Sequence, residues 1–297
     1  VYDEDVYYYA PYAINTYGES RSREFKEFTT STINLSANGT ANAYIVSNSG
    51  RYTFNPNVIG NGKKGIISGA GFHTETEEIV PASAELIWQS KTDLITDVAY
   101  RAYEGDVVFT TNGEEGNAVI AVKDGSGAII WSWHIWCTDK PSDQRYVNRS
   151  GESFMVMDRN LGATRADRGT GDQWKEAIGT GYQWGRKDPF LGSSAVNKHE
   201  GVVAKSTITW PSPVERDINT GKVEYAIQNP TVFISVPYAG DWNNKTDYDL
   251  WQSDKTVYDP CPPGWRVPDG GKNGVWSKAL GSTDARNFPC DPALPGL

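Results

Sequence analysis

The stretch from Asp241 to Asp249 reads DWNNKTDYD and is rich in oxygen-bearing side chains. Asp241, Asn243, Asp247 and Asp249 alternate along it. Calcium takes roughly six to eight oxygens, and alternate loop positions can supply several. Lys245 stands where a ligand would be wanted, and no glycine or late glutamate completes an EF-hand. Calcium is therefore the lesser reading, and an Asx-rich turn between Trp242 and Trp251 is preferred. The same stretch offers a second chemistry. Indole faces stack on sugar rings, so an exposed Trp174, Trp242 or Trp251 would make a glycan platform, with Asn243, Asp247 and Asp249 as polar ligand-binding candidates.

Catalytic chemistry has less support. His134 lies between Trp133 and Ile135 and reads as a satisfied strand histidine rather than a catalytic base. His73 and His199 stand in polar loops without a GxSxG nucleophile. Asp158 in the run Asp158-Arg159-Asn160 reads as half of a buried Asp–Arg pair, with Asn160 bonding a neighbouring loop. No carboxylate pair is marked for glycosidase work. The three cysteines form no CxxC, so a zinc site is not expected. Cys261 and Cys290 both sit in proline-flanked loops and are the candidate disulfide, which would imply an oxidising compartment. Cys137 reads as a buried thiol.

Composition limits the partners. A net charge of −9 disfavours phosphate backbones, so nucleic acid is excluded as the expected partner. No apolar run approaches the roughly 18 residues of a spanning helix. The chain has 11 tryptophans, nearly all at or after Trp131, so its second half must be anchored differently from its first.

The elements that must position these residues are mostly strands. Ala43 to Val46 and Tyr52 to Phe54 flank a turn at Ser49-Gly50, and Ala84 to Trp88, Thr96 to Tyr103 and Val107 to Thr110 follow. Asn117 to Lys123 and Ala128 to Trp136 form a hairpin around Asp124-Gly125-Ser126-Gly127. Its second strand sends Ile130, Ser132 and His134 one way and Trp131, Trp133 and Ile135 the other. This spacing predicts a β-sandwich. Thr138 to Gly151 is polar and marks a boundary. Beyond it the chain is loop-rich, with strands expected at Met155 to Leu161 and Val232 to Val236. Short helices are expected at Gln173 to Ile178 and after Asp269. Trp184 and Trp265 are assigned to its core, and Arg186 and Arg266 to stacking on indoles. Two further stretches stand out. Residues 1–31, tyrosine-rich and charged, read as an extended arm or a partial preceding module. Tyr258 to Asp269 (YDPCPPGWRVPD) is too proline-dense for helix or central strand. It reads as a structural clasp away from any ligand.

Six strings in one order carry a resemblance. They are NLSANGTANAYIVS (Asn34 to Ser47), GNAVIAVKDGSGAIIWSWHIWCTD (Gly116 to Asp139), MDRNLGAT (Met157 to Thr164), GYQWGRKDPF (Gly181 to Phe190), GDW (Gly240 to Trp242) and YDPCPPGWRVP (Tyr258 to Pro268). Together they resemble fimbrillin-type and tip-pilin surface proteins of Bacteroidetes with a Fibrobacter succinogenes major paralogous domain. Ala43 stands where such proteins often carry cysteine. The module normally continues well past GWRVP, so here it is cut short or ends differently.

The residues and the resemblance together imply a mainly β chain. Residues 32–139 would be a transthyretin- or immunoglobulin-like sandwich, and residues 140–297 a loop-rich α+β, C-type-lectin-like module. The implied function is a non-enzymatic fimbrial or cell-surface protein, a pilus tip or accessory subunit in adhesion. It would be extracellular or on the outer-membrane surface and would not span the membrane. Its partners would be pilin subunits, engaged by strand exchange with residues 1–28 as donor or acceptor, or host and microbial surface ligands. The alternative is a glycan-binding surface lipoprotein module. No cofactor is expected beyond the calcium candidate.

Overall fold

The computed structural model describes residues 6–22, 24, 26–29, 31–60, 78–147, 151–191, 209–236, 241–244, 250–269 and 275. The tyrosine-rich start is not one extended segment. Strands β1 (Val6–Tyr9), β2 (Tyr12–Asn15), β3 (Gly18–Arg21) and β4 (Lys26–Thr29) fold back on themselves, with β1 antiparallel to β4 and β2 antiparallel to β3. The result is a two-part ribbon whose tip is exposed at Tyr12, Ile14 and Tyr17. Its strands satisfy one another, which is not the single-strand form a donor takes.

The alternating runs after residue 31 become strands as their pattern requires. They are β5 (Thr32–Asn34), β6 (Ala43–Val46), β7 (Gly50–Phe54), β8 (Ser83–Gln89), β9 (Ile95–Arg101), β10 (Asp106–Thr111), β11 (Gly116–Lys123) and β12 (Ile129–Cys137). They make two four-stranded sheets, β5-β7-β10-β9 and β6-β12-β11-β8. The pairs β5–β7 and β6–β12 are parallel and the rest antiparallel. The hairpin turns where it was expected to, at Asp124 to Gly127. There Asp124 Oδ1 accepts N–H bonds from Ser126 (2.9 Å) and Ala128 (3.0 Å).

The two sheets share one core. Trp131, Trp133 and Ile135 of β12, with Ala118, Ile120 and Val122 of β11, meet Tyr52, Phe54, Val107 and Phe109. The Phe54 and Trp133 rings lie 5.0 Å apart, and Tyr52 stacks on Phe109 at 5.8 Å. The other side of β12 carries Ser132 and His134, whose polarity would suit a side facing water. It does not face water: both side chains are buried under the second half of the chain.

That second half opens with an antiparallel hairpin. β13 (Asp143–Val147) lies inside the polar stretch that reads from sequence as turns, and β14 (Ser153–Met157) stands where a strand was expected at Met155 to Leu161 but starts two residues earlier and ends at Met157. The exposed positions of β13 hide its strand character from a hydrophobic pattern. The helix expected at Gln173 forms as a 3-10 turn followed by α1 (Trp174–Ile178). Strand β15 (Val214–Glu215), helix α2 (Val223–Gln228) and strand β16 (Ile234–Ser235) complete the described elements. β16 is the two-residue remnant of the strand expected at Val232 to Val236, and the helix expected after Asp269 falls outside the described residues apart from Val275.

The Asp158–Arg159 pair forms as read. Arg159 Nε donates to Asp158 Oδ1 at 2.8 Å, its other nitrogens reach Asp139, and Asn160 Nδ2 donates to the carbonyls of Ala177 (3.3 Å) and Ile178 (3.2 Å). Burial pushes Asp158 up, but the Arg159 bond and the Ser142 N–H together hold its carboxyl below the usual range.

His134 makes a testable case. Its Nε2 donates to Asn117 Oδ1 (2.8 Å), because the Asn117 amide nitrogen already donates to the Gly162 carbonyl (2.9 Å). Its Nδ1 accepts from the Tyr182 hydroxyl at 3.3 Å. Burial pulls the imidazole from 6.5 down to about 3. Between those values the unfolded chain binds a proton that the native state refuses, so stability falls as pH falls. Chemical denaturation from pH 6.5 down to about 5 should show a loss approaching ~1.4 kcal/mol per pH unit from this group. His134→Gln should flatten the slope in that window. Equal slopes for the two proteins would refute the assignment.

Candidate functional site

The decapeptide Gly181 to Phe190 (GYQWGRKDPF) fastens the second half of the chain to the sandwich. Gly181 and Phe190 exchange backbone bonds at 2.8 Å and close it into a loop. Tyr182 reaches His134. Gln183 copies a strand edge, donating to the Ile234 carbonyl (2.9 Å) and accepting its N–H (3.0 Å). Gly185 has φ 79°, and a Cβ there would meet Leu250 at 2.6 Å, so a side chain is barred twice over. Lys187 and Asp188 are both buried against Ser132. Asp188 Oδ1 accepts from the Ser132 hydroxyl (2.6 Å) and from Lys187 Nζ (2.7 Å). The Lys187 ammonium also lies 4.6 Å from the Trp131 ring centre. Burial pulls the ammonium below the ordinary lysine range, and Asp188 opposes that pull.

Arg186 stacks as its neighbourhood predicts, over Phe190 (5.1 Å) and Trp242 (5.8 Å). Its guanidinium donates to Gln183, Val232, Ala226 and Asn229, the last two at the carboxyl end of α2. The orphan carbonyls of a helix end suit a cation. Burial brings Arg186 down to about 10.

The proline-dense stretch 258–269 is a clasp held by one buried ion pair. Asp259 is fully buried. Its Oδ1 accepts the Cys261 N–H (2.8 Å) and its Oδ2 the Val267 N–H (2.9 Å). Lys255 Nζ lies 3.6 Å from Asp259 and donates to the carbonyls of Cys261 (2.7 Å), Pro262 (3.0 Å) and Trp265 (2.6 Å). The sandwich grips the clasp from the other side. Asn42 Nδ2 donates to the carbonyls of Val257 (2.7 Å) and Asp259 (2.9 Å), while its Oδ1 accepts the Trp131 indole N–H (2.9 Å). Gly60, at φ 56°, passes so close to Val257 that a Cβ would sit 2.6 Å from its Cα. Trp265 is half-buried. Arg266 is exposed and forks onto Asp269, with both distances 3.0 Å, rather than onto an indole.

Between these fastenings lies a cleft of about 630 Å³. Trp184 and Trp251 form one wall, their ring centres 6.2 Å apart and inclined at 57°. Residues 252–254 and 267–269 form the rest. The Trp251 indole N–H is tied to the Tyr258 carbonyl (3.0 Å), which fixes the ring's tilt. Ser253 donates to Asp269 at 2.6 Å. Among the described residues the side chains of Gln252 and Asp254 have no hydrogen-bond or ion-pair partner.

The structure sorts the residues singled out by sequence. Trp251 lines the cleft. Trp242 does not: it is 3% exposed, under Arg186, with its N–H donated to the Trp184 carbonyl at 2.6 Å. Asn243 is equally buried and cannot meet a ligand. Asp241 accepts the Asn243 N–H at 3.4 Å, and burial raises its carboxyl above the usual range. Asp247 and Asp249 lie outside the described residues, and no group of three metal-binding side chains occurs within them. Trp184 is half-buried and stands in the cleft instead of being wholly core. The end of the clasp, which read as remote from any ligand, supplies a cleft wall through Val267, Pro268 and Asp269. Cys137 is buried and pushed up to about 12. Cys261 is a buried free thiol raised by burial and by Asp259, and the disulfide expected with Cys290 involves a residue outside those described. Gln252 and Asp254 carried no sequence signal, since isolated polar residues in a loop look like any solvated turn.

No family model, no curated protein and no solved structure matches the chain.

The clasp should depend on Lys255. Lys255→Met removes the donor shared by three carbonyls and leaves Asp259 buried without its counter-charge. A loss of about 3–5 kcal/mol is expected in guanidinium denaturation. Amide exchange at Cys261 and Val267 should accelerate. Unchanged stability together with unchanged exchange would show that the ion pair does not hold the loop.

Proposed function

We propose that this chain is a non-enzymatic surface-adhesion protein that binds a carbohydrate in the cleft between Trp184 and Trp251. The cleft itself carries the reading. Two inclined indoles give apolar faces of the kind that the C–H faces of a pyranose cover, and the rim holds unengaged polar groups for hydroxyls. Its size falls within the roughly 300–1,000 Å³ of small-ligand sites. The fastenings around it keep both rings in place before a ligand arrives, which reduces the ordering that binding requires.

A binding role is favoured over catalysis by what the described residues present to solvent. Their histidine and both thiols are buried: burial keeps the thiols protonated and so disarms them as nucleophiles, and it leaves His134 a weak base closed off from solvent. The fimbrial setting, the extracellular or outer-membrane location and the pilin partners rest on the six strings that resemble tip-pilin proteins. The self-paired ribbon argues against residues 1–28 as the donor strand in this form. No described helix is long and apolar enough to cross a membrane.

A glycan array followed by titration of intrinsic tryptophan fluorescence tests the reading. Binding should quench fluorescence, and Trp184→Ala or Trp251→Ala should each weaken it about tenfold or more. An array without hits, or hits indifferent to both substitutions, would overturn it.

A further inference from the structure

We propose that the cleft selects a sugar bearing a protonated amine, a hexosamine unit, over its N-acetylated and acidic counterparts; this rests on the carbohydrate reading above. The argument is one of charge placement. Among the described residues the cleft is lined by two carboxylates, Asp254 and Asp269, and by no lysine or arginine. Asp269 is neutralised locally: both terminal nitrogens of Arg266 fork onto it and Ser253 donates to it. Asp254 is not. It is exposed and has no ion-pair partner among the described residues.

The nearest basic side chain in sequence, Lys255, is turned the other way. Its ammonium is used up on the carbonyls of Cys261, Pro262 and Trp265 and on Asp259. Among the described residues, a ligand in the cleft therefore meets one uncompensated negative charge beside two indole faces. Both features attract a cation: the carboxylate by charge, the indoles by their negative faces. An acidic sugar would instead bring a second anion beside Asp254, on a chain whose net charge is already −9. The inclined ring pair favours a ring-shaped ligand over a bare ammonium, because the larger contact is with the pyranose face.

The test compares three oligosaccharides of equal length by calorimetry at mildly acidic pH: a glucosamine oligomer, its N-acetylated form and an oligogalacturonate. The glucosamine oligomer should bind about tenfold tighter than the acetylated one, and the galacturonate should bind weakest. Asp254 is exposed and unbonded, so Asp254→Asn should fold normally and erase most of that gap. Equal affinities, or a preference for the acidic oligomer, would overturn the inference while leaving the carbohydrate reading in place. Tetramethylammonium displacing the glucosamine oligomer as well as a free monosaccharide does would assign the cleft to a plain cation and overturn it too. No binding of any of the three, alongside an array without hits, would remove both.

Discussion

The buried contact among Ser132, Lys187 and Asp188 is the constraint on which the rest of the structure depends. Strand β12 runs through the middle of its sheet, so its outer side must be covered, yet that side carries a serine and a histidine. A buried hydroxyl or imidazole without a partner is costly, and a buried ammonium or carboxylate more so. The decapeptide 181–190 answers each of these groups in turn. It brings Tyr182 to His134 and the Lys187–Asp188 pair to Ser132. Removing Lys187 or Asp188 would strand the opposite charge in a medium that cannot solvate it. The polar layer therefore fixes where the second half of the chain sits, while the apolar core between the sheets contributes most of the burial.

Once that loop is docked, the remaining anchors follow. Trp184 and Gly185 are carried to Leu250 and the neighbouring tryptophan, and Arg186 is carried to the end of α2. Asn42, held by the Trp131 indole N–H, then joins the sandwich to the clasp by two hydrogen bonds, so a residue just before β6 determines the path of the chain more than two hundred positions later. Lys255 and Asp259 complete the clasp from within. The cleft is a by-product of these fastenings. Its walls come from residues 184, 251–254 and 267–269, none of which could hold its place alone.

The described thiols and histidine are withdrawn into the protein for structural ends. Among the described residues the cleft surface carries a pair of indoles, a neutralised Asp269 and an uncompensated Asp254. Among the described residues that combination offers ring faces and charge, which is what the proposed recognition role draws on.

The amino-acid sequence determined the strands of the sandwich, the turn of the main hairpin, the inward-facing indoles of β12, the Asp158–Arg159 lock and the clasp-like character of 258–269. Each follows from local rules: period-two alternation, turn residues at fixed places, and the backbone restrictions of proline and glycine. It also marked Trp251, though for the wrong neighbours. Tertiary structure alone decided that the polar side of β12 would be buried and that β13 would pair despite its exposed pattern. It also decided that Trp242 and Asn243 would be interior while Trp184 would face a cleft. Exposure of an indole depends on what packs above it, and here that is Arg186, brought in from some fifty-six positions earlier in the chain. No spacing in a sequence encodes such a contact, because its energy is realised only when both segments have already been placed by others.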